Sequence, residues 1–278
     1  MKRALPYLGA ALLALFLPSC LEHTSTIKLN KDGSGTITEE TLFSAEASAM
    51  MADMPAGGEN PAGKFSDAKK AAEAAAKMGE GVTVEKTEEI KKDGRIGGRV
   101  VYKFKDINKV KFAFGGSMSD AGKDMGGPPG DAPDGGEAKK ENTPITFTYK
   151  DGVLKLVNPD AKPKEEAKKP DAEKGDAPDG EGETDAQAMA MMQQMFKDMR
   201  MTFNVVIVDG IAETNASHVE GNVVTLIDMP FGKLLADPAN MKKLEAMKDA
   251  SPADAAAAFK DIAGLKIETK EEVTVKVK

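Results

Sequence analysis

The stretch TSTIKLNKDGSGTITEETLF, Thr24 to Phe43, decides the fold. Its middle, NKDGSGTITEE (Asn30 to Glu40), invites a calcium-loop reading, so the template D-x-[DN]-x-[DN]-G-x5-E is the first test. With Gly35 at position six, Asn30, Asp32 and Ser34 take positions one, three and five, and Thr41 takes position twelve. A bidentate glutamate belongs at twelve, and Thr41 has no carboxylate to give. Glu40 falls one residue early. The flank TSTIKL alternates polar and apolar residues with the period of a strand, where an EF-hand needs a helix. Asp32 to Gly35 therefore reads as a turn joining two antiparallel strands. A calcium ion held weakly by Asp32, Glu39 and Glu40 is the remaining metal reading of this segment.

Working back from Thr24, the chain opens MKRALPYLGAALLALFLPSC. Lys2 and Arg3 precede an apolar run from Ala4 to Leu17, shorter than the roughly 20 residues a spanning helix needs. Leu17-Pro18-Ser19-Cys20 closes it. This is the layout of a secretory signal peptide, so residues 1–19 are set apart from fold reasoning. The close of the run resembles a bacterial lipobox, although Pro18 departs from the commonest residue at its position. Cys20 is the chain's one cysteine and cannot form an intramolecular disulfide, so acylation of Cys20 is the expectation. Several acyl chains anchor stably where one binds reversibly. Leu21 follows, and by resemblance to Gram-negative lipoproteins a residue other than Asp there implies sorting to the outer membrane, facing the periplasm.

The formal charge is −7, and loss of Lys2 and Arg3 with the leader leaves the rest more acidic still. Nucleic-acid binding rests on neutralising phosphates with Lys and Arg, so no nucleic-acid partner is expected. The overall balance also disfavours a polybasic grip on anionic lipid.

Two segments are rich in Pro, Gly, Ala and charged residues, with almost no large apolar ones. They are 115–142, containing DMGGPPGDAPDGGEAKKEN, and 159–184, PDAKPKEEAKKPDAEKGDAPDGEGET. Neither carries enough apolar surface to offset the entropy of ordering, and both are read as disordered insertions. They divide one domain into 20–114, a hairpin at 143–158, and 185–278.

Outside them, strand and helix patterns alternate. Helices are expected over Ala45–Met54 and Ser66–Met78, with Ser66 as N-cap and Gly79 as terminator. Val82–Ile90 and Arg95–Phe104 flank Asp93-Gly94, and Ile145–Tyr149 and Val153–Val157 flank Asp151-Gly152; both are hairpin signals. A helix over Thr184–Arg200 leads to strands Met201–Val208 and Val223–Ile227. Short helices follow at Phe231–Ala236, Pro238–Asp249 and Pro252–Ile262. Leu265–Lys278 (LKIETKEEVTVKVK) alternates as one long half-buried strand. The fold class is α+β: an antiparallel sheet built from hairpins, with helices packed on one face and interrupted by the disordered insertions.

An acylated cysteine followed at once by strand, Gly-rich turn and strand, then a central group of hairpins, then FNVVIVDGIAETNASHVEGNVVTLID (Phe203–Asp228): this arrangement resembles the LppM-like lipoprotein domain family of bacteria. Gly210, Asn215, Gly221 and Asn222 stand at the recognisable positions. Two features depart from it: Leu226 stands where an aromatic residue is often found, and no C-terminal membrane helix is evident. The resemblance implies an envelope-facing, lipid-associated domain and no catalytic residues.

The stretch QAMAMMQQMFKDMRM (Gln187–Met201) is the other candidate. Met189, Met192, Met195 and Met199 recur at helical spacing, and thioethers so placed could hold Cu(I). The same spacing serves an apolar helix face packed on the sheet, since Met fills irregular gaps, or an adaptable surface for a lipid chain or protein partner. His23, close behind the anchor, is read as exposed near the membrane, and His218 as a loop residue. Two histidines and no free thiol leave no zinc site or Cys/His nucleophile to assemble. Gly97-Gly98 and Gly115-Gly116 read as bulges or strand ends. Asn215-Ala216-Ser217 fits a sequon of little weight in a bacterial lipoprotein.

The function expected from these residues is a membrane-anchored, non-enzymatic envelope module without a cofactor. An apolar groove beside the Met-rich helix would take lipid or another envelope protein. The alternative is a periplasmic metal-binding protein using Cu(I) or weak Ca2+.

Overall fold

The structure, a computed structural model, describes residues 21–52, 63, 65–114, 143–161, 199–235, 237, 239–240, 243 and 252–278. Both expected insertions lie almost wholly outside these residues, as does the expected helix between Thr184 and Lys197.

Strand β1 (Leu21–Leu29) and strand β2 (Gly35–Phe43) pair antiparallel from end to end, Leu21 opposite Phe43 and Leu29 opposite Gly35. Between them Asn30 closes the turn, donating its N–H to the Ser34 carbonyl at 2.9 Å and accepting the Gly33 N–H at 3.0 Å. Gly33 sits at φ +85°, a left-handed conformation natural to glycine. The hairpin reading of Asn30–Glu40 holds.

Helix α1 (Ala45–Ala52) follows, with the Ser44 hydroxyl accepting the Ala47 N–H at 3.1 Å. Helix α2 (Ala68–Met78) is capped by Asp67, whose carboxylate accepts the Lys70 N–H at 2.8 Å; the cap is one residue later than Ser66. Gly79, at φ +126°, ends it as expected. Strands β3 (Thr83–Lys92) and β4 (Arg95–Phe104) join through Asp93 and Gly94 at φ +52° and +77°. Strand β5 (Lys111–Phe112) precedes β6 (Ile145–Lys150) and β7 (Val153–Val157), whose turn repeats that geometry with Asp151 at +51° and Gly152 at +75°. Two consecutive positive φ values mark the type I′ turn, whose twist matches the flanking strands.

The C-terminal third holds β8 (Arg200–Ile207), β9 (Ile211–Thr214), β10 (Val219–Glu220) and β11 (Val223–Pro230). Short helices α3 (Phe231–Leu235) and α4 (Pro252–Ala258) lead to β12 (Lys266–Ile267) and β13 (Glu272–Val277). The expected Pro238–Asp249 helix lies mostly outside the described residues.

Two features correct the sequence reading within an α+β fold that otherwise stands. The strands form two sheets rather than one. The larger runs β10-β11-β8-β1-β2-β4-β3 with β12 also on β11, and the smaller runs β5-β6-β7-β13-β9. All pairings are antiparallel except β1 with β8, which run parallel with Glu22 opposite Arg200. The C-terminal stretch is not one strand either: β12 belongs to the large sheet and β13 to the small one.

The core lies where the sheets meet. Ile27, Leu29, Ile37, Tyr102, Phe104, Val205 and Ile207 from the large sheet form one buried cluster with Phe147, Leu154, Leu156, Val273 and Val275 from the small one. Ala71, Ala75 and Met78 of α2 join it. Gly97 and Gly98 sit inside β4 in unbroken register with β2, so neither is a bulge there. A Cβ on Gly97 would stand 1.8 Å from the Thr41 carbonyl oxygen, and one on Gly98 would stand 2.5 Å from the Phe65 carbonyl carbon. Close backbone approach is the reason for both.

Candidate functional site

Cys20 lies just outside the described residues, and Leu21 is already a paired residue of β1. Nothing separates the expected acylation point from the middle of the large sheet.

The calcium reading of the first hairpin is corrected by its own side chains. Asp32 turns its Oδ1 onto the Ser34 N–H at 3.0 Å and the Ser34 hydroxyl at 2.6 Å. Glu39 and Glu40 are neighbours on a strand and project to opposite faces. Glu40 is gripped by Arg99, through Nε at 2.9 Å and Nη2 at 2.7 Å. Glu39 is buried and accepts from the Tyr102 hydroxyl at 3.4 Å. The three carboxylates do not converge, and no metal-binding cluster of His, Cys, Asp and Glu exists among the described residues.

His23 is also corrected: it is fully buried. It shares the inward face of β1 with Ser25, Ile27 and Leu29, an alternation visible in their burial. Its Nδ1 lies 2.9 Å from the Thr41 hydroxyl and its Nε2 lies 3.2 Å from the Ser25 hydroxyl. A neutral imidazole has one nitrogen to donate and one to accept, so the two hydroxyls satisfy the ring in either tautomer. Burial pushes its pKa down from 6.5 to about 4. The Phe114 ring leans over it with centroids 6.4 Å apart, and Phe114 itself stacks on Phe203 at 5.5 Å. Ser25 stands opposite Glu39 in the register. Burial, and after it the Glu39 carboxylate, pushes the Tyr102 phenol above its ordinary range.

The inner face of the large sheet therefore changes character along its length. Toward the Asn30–Ser34 turn it is apolar, with Ile27, Leu29, Ile37 and Phe104. Toward Leu21 it carries His23, Ser25, Glu39 and Thr41, all buried. A serine beside a histidine suggests a nucleophile and base. Here the ring's second nitrogen faces Thr41 rather than a carboxylate, and His23 and Ser25 are both sealed from solvent.

The opposite face of the same sheet is a row of alternating charges. Asp228 is held by Arg200 through Nε at 2.8 Å and Nη2 at 2.7 Å. Glu22 pairs with Arg95, and Arg99 bridges Glu40 and Glu88, reaching the latter at 3.0 Å.

Of the methionines proposed for copper, Met189, Met192 and Met195 lie outside the described residues. Met199 is buried and immediately precedes β8, so neither it nor Arg200 is helical, and the rest of the helix expected over Thr184–Arg200 lies outside the described residues. Its carbonyl accepts the Gly232 N–H at 3.4 Å.

His218 belongs to a clamp that the sequence did not announce. Two crossings between the sheets run side by side, Asn215–His218 and Glu268–Glu271. The Glu268 carboxylate accepts the Ser217 N–H at 2.6 Å, the Ser217 hydroxyl at 3.0 Å and the Lys270 N–H at 3.1 Å. Asn215 accepts the Thr274 N–H at 2.8 Å and donates to the Glu272 carbonyl at 3.1 Å, acting as a strand residue would. His218 Nε2 lies 3.3 Å from the Ile267 carbonyl. Lys270 Nζ donates to the Ser217 hydroxyl at 2.6 Å and stands 3.7 Å from the Glu268 carboxylate. In LKIETKEEV Glu268 falls on the polar phase with Lys266 and Lys270, so the alternation there holds no signal of this clamp.

No family model and no curated protein matches the chain. Among solved structures, the folded domain of Mycobacterium tuberculosis LppM is similar at TM-score 0.30 and 12% identity, over 78% of this chain and 86% of that one. Agreement at that level leaves the site to be read from this chain's own residues.

Proposed function

We propose that the chain is a bacterial lipoprotein, acylated at Cys20, that serves the envelope as a non-enzymatic binding or structural module. One observation carries it: the stretch MKRALPYLGAALLALFLPSC ends one residue before β1, whose first residue, Leu21, is already paired to Phe43. A leader removed at Ser19 would leave the sheet intact and place an acyl-bearing residue at its first strand. Leu21, being other than Asp, favours the outer membrane and a periplasmic orientation. The contact is assigned to the Met-rich stretch Gln187–Met201, whose composition suits a lipid chain or an apolar partner.

Two measurements test this. Intact mass of the membrane-extracted chain should equal residues 20–278 plus acyl groups; a chain cut elsewhere or free of acyl mass overturns the anchor. Native mass spectrometry of detergent-free material should retain copurified lipid, and its reproducible absence counts against a lipid-binding surface while leaving the anchor standing.

A further inference from the structure

The outward face of the large sheet continues past its ion pairs into two rows that hold no carboxylate. In the first, Asn204, Thr26, Thr38, Val101 and Lys86 stand side by side on β8, β1, β2, β4 and β3. In the second, Val206, Lys28, Thr36, Lys103 and Thr83 follow in the same strand order. Burial alternates along β1, β2, β4 and β8, which turns these residues away from the core, and Lys28, Lys86, Lys103 and Thr83 are exposed. Such a stretch is an exception in a chain of formal charge −7.

Its cations are not equivalent. Lys86 is paired with Glu88. Lys28 and Lys103 form no ion pair with any described residue. Carboxylates stand around the margin. Glu40, Glu88 and Asp228, in the next row, are held by Arg99 and Arg200. Glu220 lies beyond Val223 on the edge strand β10, and Glu85 sits in the bulge of β3. The loops past Lys28 and Lys103 carry both signs, Lys31 and Lys105 with Asp32, Asp106 and Asp209. Within the two rows, the charge left uncompensated is positive.

Adjacent strands are about 4.8 Å apart, so the backbones at Lys28 and Lys103 are roughly 10 Å apart, with Thr36 between them. Thr26, Thr38 and Asn204 add hydroxyl and amide groups, one to a strand, that both donate and accept. No aromatic ring lies in either row to stack a base. Two half-buried valines are too little apolar surface to hold an acyl chain. What the rows match is a chain rich in hydroxyls that bears an acid at intervals. One pyranose residue is close to one interstrand spacing in length, so a glycan laid across the strands meets a new strand with each sugar. Lys28 and Lys103 then fall on alternate sugars.

We propose that these two rows bind an acidic polysaccharide with a carboxylate on alternate sugars. Its acids meet Lys28 and Lys103, and its hydroxyls meet Thr26, Thr36, Thr38 and Asn204. This surface does not depend on acylation at Cys20.

Hyaluronan oligosaccharide, which alternates a uronate with a neutral sugar, is the probe, titrated calorimetrically into the full chain at low salt. An N-acetylglucosamine oligosaccharide supplies hydroxyls without acid, and polyphosphate supplies charge without hydroxyls. Hyaluronan should bind, and bind more weakly as salt rises. Lys28→Glu and Lys103→Glu should each weaken it about tenfold. Lys150→Glu makes the same charge change at the end of β6 and should alter binding by no more than about twofold. Thr38→Val should weaken hyaluronan and leave polyphosphate unaffected. Lys28→Gln or Lys103→Gln replaces any reversal whose thermal melt departs from wild type. No binding of hyaluronan, or an equal loss in Lys150→Glu, overturns the assignment of these rows. The neutral oligosaccharide binding as tightly as hyaluronan overturns the role of the two lysines. Polyphosphate binding more tightly than hyaluronan, with Thr38→Val silent toward both, overturns the glycan in favour of a bare anion.

Discussion

Glu268 and Ser217 are joined twice, backbone to carboxylate at 2.6 Å and hydroxyl to carboxylate at 3.0 Å, and through them two chain crossings are held as one. Glu268 is almost wholly buried. Glu268→Ala would leave the Ser217 and Lys270 N–H groups without their acceptor, a loss of about 2–3 kcal/mol. Chemical denaturation should show this as a lower midpoint with an unchanged slope, and a variant within 0.5 kcal/mol of wild type, the usual surface range, would remove the clamp from the account.

The same carboxylate gives a signed pH dependence. Burial raises its pKa, but hydrogen bonds from Ser217 and Lys270, with the Lys270 charge, outweigh burial and hold it below the ordinary 4.5. A folded pKa lower than the unfolded one means the unfolded chain binds more protons as pH falls. The stabilisation is complete above the unfolded value and declines below it. Glu268→Gln, compared with wild type in denaturation series at pH 7, 5 and 3.5, should therefore lose less stability between the last two. Parallel decline in both proteins would assign the acid sensitivity elsewhere.

His23 acts in a higher window. Its folded pKa of about 4 lies below the unfolded 6.5, so its neutral form is fully favourable above 6.5 and the benefit erodes as pH falls toward 4. The linked loss across that window is roughly 3 kcal/mol. His23→Gln, which can still hydrogen-bond Ser25 and Thr41, should flatten stability between pH 6.5 and 4.5 while leaving the region below 4 much as before. An unchanged slope would mean that His23 is not titrating in the core.

Why some of this was legible and some not follows from what each residue signals. Asp93-Gly94 and Asp151-Gly152 are local codes: two residues carry the positive φ values that make the turn, and both hairpins stood where the codes placed them. The assignment of strands to sheets is not local. A strand with one buried face alternates in the same way whichever sheet it joins, so Val273 and Val275 looked continuous with Ile267. The break between them is made by Glu268, whose partners at 215–217 are some fifty residues away in sequence. His23 was misplaced for a related reason. Polar residues at inward positions 23 and 25 disguised the head of β1, and the strand was started at Thr24. Met199 was read as helix because methionine spacing suits a helix and an apolar strand approach alike.

Gly97 offers a steric test. Its missing side chain lets β4 lie against the Thr41 carbonyl, and a Cβ there would stand 1.8 Å from that oxygen. Backbone must move, so Gly97→Ala should cost about 2–3 kcal/mol. Gly94→Ala is the comparison: φ is +77° but nothing lies within 4 Å of the added atom, so only the turn strain of about 1 kcal/mol applies. Thermal melts that ranked Gly94→Ala as the more damaging change would contradict the close packing of β4 on β2.

Arg200 and Asp228 close the charged face where β8 meets β11. Asp228 is buried while Arg200 is half exposed, so the partners are not equivalent. Arg200→Ala strands a desolvated carboxylate, whereas Arg200→Lys keeps a charge but loses the two-pronged grip. Arg200→Ala should cost about 2–3 kcal/mol and Arg200→Lys about half as much. Asp228→Asn relieves the stranded charge, so combining it with Arg200→Ala should recover part of the loss rather than add to it. A double-mutant cycle measures this directly. Strict additivity would show that the pair, for all its geometry, contributes no coupling to the sheet.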